Sequence, residues 1–573
     1  MRQSKSKLVC GSILKKGWFC LMPFVFFSCK ERNNKNYFEA ISSLDLKRGE
    51  VVSCGPQDGE LYGSVSFTAS VSDSLKKDFN IAVALLHSFE YDEAEKMFSK
   101  IIDADPDCAM AYWGVAMCNF HPLWFPPSSL ELKKGSKAIA VARSIKDKTK
   151  RESEYIEAIS KFYEDTARLN HQSRVRNFEK AMQKIYEDYP SDAEATIFYA
   201  LALDAAADPT DKSYTNQKKA LALLEPIFEK QPLHPGIAHY IIHNCDYPGL
   251  AELALPVARK YASIAPASAH AQHMPSHIFT RLGLWDECIQ SNLVSVSAAK
   301  CYAEKASIKG HWDQELHGMD YLAYAYLQKG QDDLAMQQFD YLQTINEVYP
   351  VNAIAAYAFA AIPARYMLER KMWNQAAALP LHPANFAWEK FPWQKAIIHF
   401  ARVIGAVNTN QLDEAKNELD TLKTLYDKLA KQPDKRLEAP QVAVQVKAAE
   451  AWIQYKQGNN EQALELMKAA ADMEDAMAKH PVTPGEVVPA RELLGQMLLQ
   501  MNKPQLAIEA FETDLRARPD RFNALYDAGV ASEKAGEKEK ARVYFKKLLA
   551  ISDSKTCKRI ELKKAKSFLS GLQ

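Results

Sequence analysis

FEYDEAEKMFSKIIDADPDCAMAYWGVAM, residues 89–117, has apolar residues three and four apart on both sides of a Pro, so it reads as two amphipathic helices joined by a short turn. Ala94 is small enough for a close helix crossing, Phe98 fills the space beside it, and Pro106 ends the helix that carries both. The same grammar recurs in GQDDLAMQQF (330–339), QLDEAKNELD (411–420), GNNEQALELM (458–467), PQLAIEAFETDLRARPD (504–520) and GEKEKARVYFKKLL (536–549). Pro232 and Pro266 stand 34 residues apart. Pro or Gly punctuates the helical pattern about every fifteen to twenty residues, the rhythm of stacked helical hairpins.

This grammar resembles the tetratricopeptide repeat family. The expected fold is all-α: a right-handed superhelical solenoid of tetratricopeptide-type hairpins, about nine to eleven pairs, ending in an amphipathic capping helix within KTCKRIELKKAKSFLSG. The phrases LLHSFEYDEAE, DPDCAMAYWGVAM, HPGIAHYIIHNCD, AHAQHMPSHIFTRLGLW and KHPVTPGEVVPARELLG resemble a group of bacterial tetratricopeptide lipoproteins. That resemblance implies architecture and carries no activity. Long connections are expected at HPLWFPPSSLELKKG, from Ser291 to Trp312, and at LPLHPANFAWEKFPW, where loops have room for function.

The chain begins with a basic leader and a short apolar stretch from Trp18 to Phe27, which is signal-peptide anatomy. Phe26-Phe27-Ser28-Cys29 resembles a lipoprotein cleavage box, with Cys29 as the lipidated residue. The expected division is a signal peptide over 1–28, a lipidated tether and irregular lead-in over 29–71, and a solenoid over 72–573. The location that follows is the cell envelope, lipid-anchored, at the outer membrane. Lys plus Arg number 72 against 71 for Asp plus Glu, so the basic footprint of a nucleic-acid binder is missing. Of the 10 Cys, those beyond the leader are scattered without a CxxC pair. Cys54, Cys108, Cys118, Cys245, Cys288, Cys301 and Cys557 therefore read as small buried apolar residues.

Counting repeat positions turns sequence into direction, because positions two, five and nine of the first helix line the concave groove of tetratricopeptide arrays. With Gly249, Gly283 and Gly330 at position fifteen, His239 and His243 take five and nine. His270, His273 and His277 take two, five and nine, as do His317, Asp320 and Tyr324 in the next unit. With 14 His in 573 residues, nine positions should hold about 0.2 His, and six are His. Residues four apart on a helix are about 5–6 Å apart and packed helices about 8–10 Å, so these rings can converge.

Neutral imidazoles at that spacing suit zinc, copper, iron or nickel, with His239, His243, His273, His277 and His317 as ligands. His270, Asp320, Tyr324, Arg281 and Glu492 stand as groove or supporting residues. Two other readings of the same residues are a hydrated polar ladder and a site for an anionic peptide or small molecule. His87, Trp113 and His121 form a further candidate ligand groove, against ordinary repeat packing for Tyr112-Trp113-Gly114. Arg365 is placed at a groove position, and Arg491 reads as a structural ion-pair partner. HExxH, a Walker loop and a Ser-His-Asp order are absent.

The resulting expectation is an envelope repeat protein that holds a transition metal and takes a protein or peptide partner in its groove. The alternatives are a metal-free peptide-binding scaffold and a metal-dependent enzyme.

Overall fold

The computed structural model describes residues 41–56, 61–123, 126–432, 437–477, 482–553 and 555–571. The leader, Cys29 and Trp124 lie outside the described residues. The chain divides into two units; of the first, Met1–Asp45, the described end is a helical turn closed by Leu44 N–H on the Ile41 carbonyl at 3.0 Å. The second unit is Leu46–Gln573.

This unit is an all-α solenoid in which successive helices pack in chain order, from Lys76–His87 to Ile560–Ser570. The quoted stretch becomes the helices Tyr91–Ala104 and Ala109–Cys118, with Ala94 and Phe98 fully buried. Toward the C-terminus, Gly495 faces Phe511 and Gly529 faces Phe545, and each pair recurs after 34 residues. A Cβ at either glycine would overlap the ring, so the close crossing requires Gly. Capping boxes at Ser128–Glu131 and Thr149–Glu152 start the helices Ser129–Ser144 and Lys150–Tyr163. The terminal helix Ile560–Ser570 buries Leu562 and Ala565, as a cap should.

Three expectations change. The stretch from Ser291 to Trp312 is not a long linker, because the helix Trp285–Lys305 runs through most of it. The described part of the lead-in from Leu46 on is not a free tether: Phe67 is buried with its ring 5.3–5.7 Å from those of Phe79, Trp113 and Tyr155. Cys54 and Cys301 are not separate thiols but a disulfide, with Cα atoms 5.9 Å apart. Cys108, Cys118, Cys245 and Cys288 are buried thiols as expected.

Both ends of the solenoid fold back on its middle. Lys76–His87 packs on Pro235–Cys245, and Phe522–Lys534 packs on Asp313–Gln328. At the second contact Trp285 Nε1 donates to the Asp520 carbonyl at 2.8 Å, and Phe522 N–H donates to Gln328 Oε1 at 2.9 Å. The groove positions are thereby enclosed.

Candidate metal centre

The helix Pro235–Cys245 starts with Pro at its first position, where a missing N–H costs nothing, and points His239 and His243 from one face. Ser268 caps Ala269–His273 by accepting the Ala271 N–H at 3.1 Å, which places His270 and His273. Pro275 opens the next segment, Pro275–Arg281, which carries His277, and Asp313–Gln328 contributes His317. All six rings meet in the interior, only His270 being partly exposed, so the expected open groove is a buried centre.

The rings fall into two sets, His239–His243–His270 and His273–His277–His317, with the ligand nitrogens of each set within 4.8 Å of one another. In the first, His239 Nε2 lies 2.9 Å from His243 Nε2 and 3.1 Å from His270 Nε2. His239 Nδ1 is 2.6 Å from the His87 carbonyl oxygen, which can only accept, so Nδ1 carries the proton and Nε2 its single lone pair. One lone pair cannot accept two hydrogen bonds in its plane. A cation between the three nitrogens satisfies all of them, since ligands 2.0–2.1 Å from one tetrahedral ion stand about 3.3–3.4 Å apart, a few tenths of an ångström beyond the spacings here.

The second set repeats the logic. His273 Nδ1 donates to Asn292 Oδ1 at 2.7 Å, the amide being oriented by Asn292 Nδ2 on the Cys288 carbonyl at 2.7 Å. His277 Nδ1 donates to Asp246 Oδ2 at 2.9 Å, while Arg281 Nε holds the other oxygen at 2.9 Å. The two Nε2 atoms then face each other at 3.0 Å. The His317 ring stands 4.2 Å from that of His273. Burial keeps His239, His270 and His273 below the usual imidazole range, His270 at about 3, with neighbouring imidazoles adding to the effect. Rings held neutral are ready to coordinate.

A chamber of about 540 Å³ adjoins the centre, and His270, His277 and His317 form part of its wall. Tyr91, Tyr302, Trp312 and Tyr349 make it aromatic, while Lys96, His121, Glu131 and Gln314 add polar groups. Phe89 lines it as well, its ring 4.4 Å from His239 and 5.9 Å from His270. Phe89 sits at φ +58°, in the helix-ending turn where Gly283 and Gly330 stand in later repeats with the same hydrogen-bond pattern. A bulky residue there is strained, and what it gains is a wall over the imidazoles. Beside it, burial pushes Glu90 up to about 7, against the hydrogen bonds it accepts from Ser268 and from the His270 N–H.

The other candidates separate. His121 faces the chamber, paired with Glu131 at 3.0 Å. Arg281 supports His277 through Asp246. His87 does not line a groove: it is buried, with Nε2 3.0 Å from Glu194 Oε2 and Nδ1 2.9 Å from Tyr240 Oη. Glu194 Oε1 takes His234 Nε2 at 3.0 Å, and His234 Nδ1 accepts the Ile237 N–H, so this third cluster is closed by hydrogen bonds. Burial opposes ionisation of Glu194, yet His234 and His87 hold it well below the carboxylate range. Trp113 is core, edge-on to Phe198 at 5.5 Å.

Asp320, Tyr324 and Glu492 are engaged by arginines. Asp320 is ion-paired with buried Arg365, and Arg521 holds Tyr324 Oη at 2.8 Å and Glu492 at 2.9 Å. Arg491 pairs with Asp472 and Asp475 at 2.7 and 2.6 Å, the structural role expected. Sequence reasoning missed Asp246, Asn292 and Phe89. Asp246 follows His243, the third His of HPGIAHYIIHNCD, by three residues and was the one legible signal.

Residues 492–555 match the tetratricopeptide repeat family. No curated protein matches the chain. Among solved structures, the human IFIT1 dimer with PPP-AAAA is similar at 12% identity and TM-score 0.35, covering 84% of this chain and 95% of that one. The APC/C hetero-tetramer Cut9-Hcn1 is similar at 12% identity and TM-score 0.25, covering 77% and 87%. The TPR domain of P58(IPK) is similar at 13% identity and TM-score 0.20, covering 87% and 99%.

Proposed function

We propose that this chain is an envelope repeat protein that binds a transition metal in its interior and uses it on a small molecule admitted to the adjoining chamber. The observation that supports this reading is His239 Nε2, whose one lone pair faces two other imidazole nitrogens at 2.9 and 3.1 Å. Without a metal, the facing Nε2 atoms of His273 and His277 at 3.0 Å need a proton between them, which puts a buried imidazolium beside Arg281 with Asp246 as its counter-charge. Zinc, copper, iron and nickel all suit such donors. Tetratricopeptide repeats generally bind protein or peptide partners, and the match at 492–555 supports a partner of that kind for this chain. Anchoring through Cys29 is part of the proposal and rests on Phe26-Phe27-Ser28-Cys29.

Elemental analysis of untagged protein, with melts before and after chelation, tests the metal. A stoichiometric ion is expected, and ligand at 100 times its dissociation constant contributes about 2.7 kcal/mol that a chelator removes. An unchanged melt with less than about a tenth of an equivalent after loading would leave the repeat scaffold alone. Fatty-acid labelling that persists in Cys29→Ala would overturn the anchor.

A further inference from the structure

We propose that the six imidazoles hold two copper ions, one in each triad, as a pair whose shared open side takes a small bridging ligand from the chamber. This rests on the metal reading above and makes it specific. Each triad closes on its own nitrogens within 4.8 Å, so a single ion is not shared by all six rings. The triads are nonetheless neighbours: the His243 and His277 rings are 6.3 Å apart, and those of His270 and His273 6.5 Å. Two-ion sites place their metals about 3.5–4 Å apart, a separation compatible with this ring spacing.

The donor set selects the ion. Among the described residues both triads are imidazole only, with neither carboxylate nor thiolate grouped with them. Asp246, which touches His277 from behind, is already shared with Arg281. Two divalent ions would thus bring four positive charges into a buried site with no anionic ligand among the described residues, at a large desolvation cost. Copper in its monovalent state halves that charge, accepts three nitrogen ligands, and keeps a position open for an incoming donor. Three rings of the two triads, His270, His277 and His317, face the chamber, so a ligand entering there reaches both ions. The third cluster, His87–Glu194–His234, contains a carboxylate and is closed by hydrogen bonds, and it takes no ion in this scheme.

The test loads chelator-stripped, untagged protein with cuprous ion under anaerobic conditions, oxidises it, and counts spins before and after adding azide as the bridging probe. Two equivalents per chain are expected for the wild type, and one for each of His270→Gln and His317→Asn. The cupric wild type with azide should show well under one spin per pair, because bridged ions couple, whereas each variant should show one full spin. One equivalent in the wild type would overturn the pair while leaving the metal reading intact. Two equivalents with two independent spins in azide would overturn the bridge, and no bound copper would overturn the copper pair while elemental analysis decides the metal reading separately. Should a variant fail to fold by its melt, wild-type stoichiometry and spin count decide alone.

Discussion

The carbonyl oxygen of His87 accepts the Nδ1 proton of His239 at 2.6 Å, across 152 residues of sequence. This one contact fixes the tautomer of a central imidazole, and the backbone that supplies it is held by the His87 side chain on Glu194 and Tyr240. Glu194→Ala should therefore do two things at once. It should destabilise the fold by about 1–3 kcal/mol, by leaving buried His87 and His234 without their acceptor, and it should weaken metal binding although Glu194 touches no ring of either triad. Melts and chelator competition on the same protein check this. Lost stability with unchanged affinity would show that the brace and the centre are independent.

Asp246→Asn retains the shape beside His277 but removes the carboxylate that orients its ring and leaves Arg281 without its charge partner. Metal affinity should fall about 10–100-fold, the usual size of such supporting contacts. Asn292→Ala, which acts on His273 Nδ1, should fall in the same range. Competition against a chromophoric chelator measures both, and affinities within twofold of wild type would sink the assignment.

Acid should unfold the metal-free protein early. His239, His270 and His273 have folded values below the 6.5 of a free imidazole, chiefly through burial. Below that pH the unfolded chain takes up protons that the folded chain refuses, so stability is whole above 6.5 and falls as pH drops toward the folded values. Each ring contributes up to about 1.4 kcal/mol per pH unit. Melts of stripped protein from pH 7.5 to 5 should descend steeply, and bound metal should be released over the same interval. A flat profile would mean that the rings are not held neutral.

How much of this was legible in the sequence differs from residue to residue. Ala94, Phe98 and Pro106 report a local packing rule, and counting from Gly249, Gly283 and Gly330 found all six imidazoles because a helix repeats its direction faithfully over one repeat. The same counting failed for Tyr324. It lies seven residues beyond His317, about 10 Å along the helix at 1.5 Å per residue, and so reaches a different neighbourhood. What occupies that neighbourhood is Arg521, brought there by the return of the C-terminal repeats, and periodicity says nothing of a contact 197 residues away. The enclosure of the groove by Phe89 and the partnership of Cys54 with Cys301 are long-range in the same sense.

The Cys54–Cys301 bridge closes a separation of 247 residues and ties the lead-in segment beside Trp312 and Tyr302, at the chamber wall. A bridge of this kind restricts the unfolded chain, and replacing both cysteines by Ser should cost about 2–4 kcal/mol under oxidising conditions. Non-reducing peptide mapping should recover the linked pair, with Cys108, Cys118, Cys245 and Cys288 as thiols. Reductant should lower the wild-type melt and leave the double variant where it was. Equal melts for wild type and variant in oxidant would show that the bridge carries no stability.

Arg521 offers the sharpest test of the fold-back. Its guanidinium is fully buried and donates to Glu369 at 2.5 Å, Glu492 at 2.9 Å and Tyr324 Oη at 2.8 Å, joining repeats that lie far apart in the chain. Asn523 adds a bond to Glu369 at 2.8 Å, and Gln328 another at 3.1 Å. Burial pushes Glu492 upward and only the Arg521 charge opposes it strongly, so the cation is what makes two neighbouring carboxylates tolerable. Arg521→Met should therefore cost about 3–5 kcal/mol, the range for a buried pair broken on one side. Adding Glu492→Gln to that variant should recover part of the loss, because it removes a carboxylate left without its counter-charge, whereas Glu492→Gln alone in the wild type should destabilise. The opposite signs give a non-additive double-mutant cycle. Simple additivity in urea unfolding would mean that the network does not bind the C-terminal repeats to the middle of the solenoid.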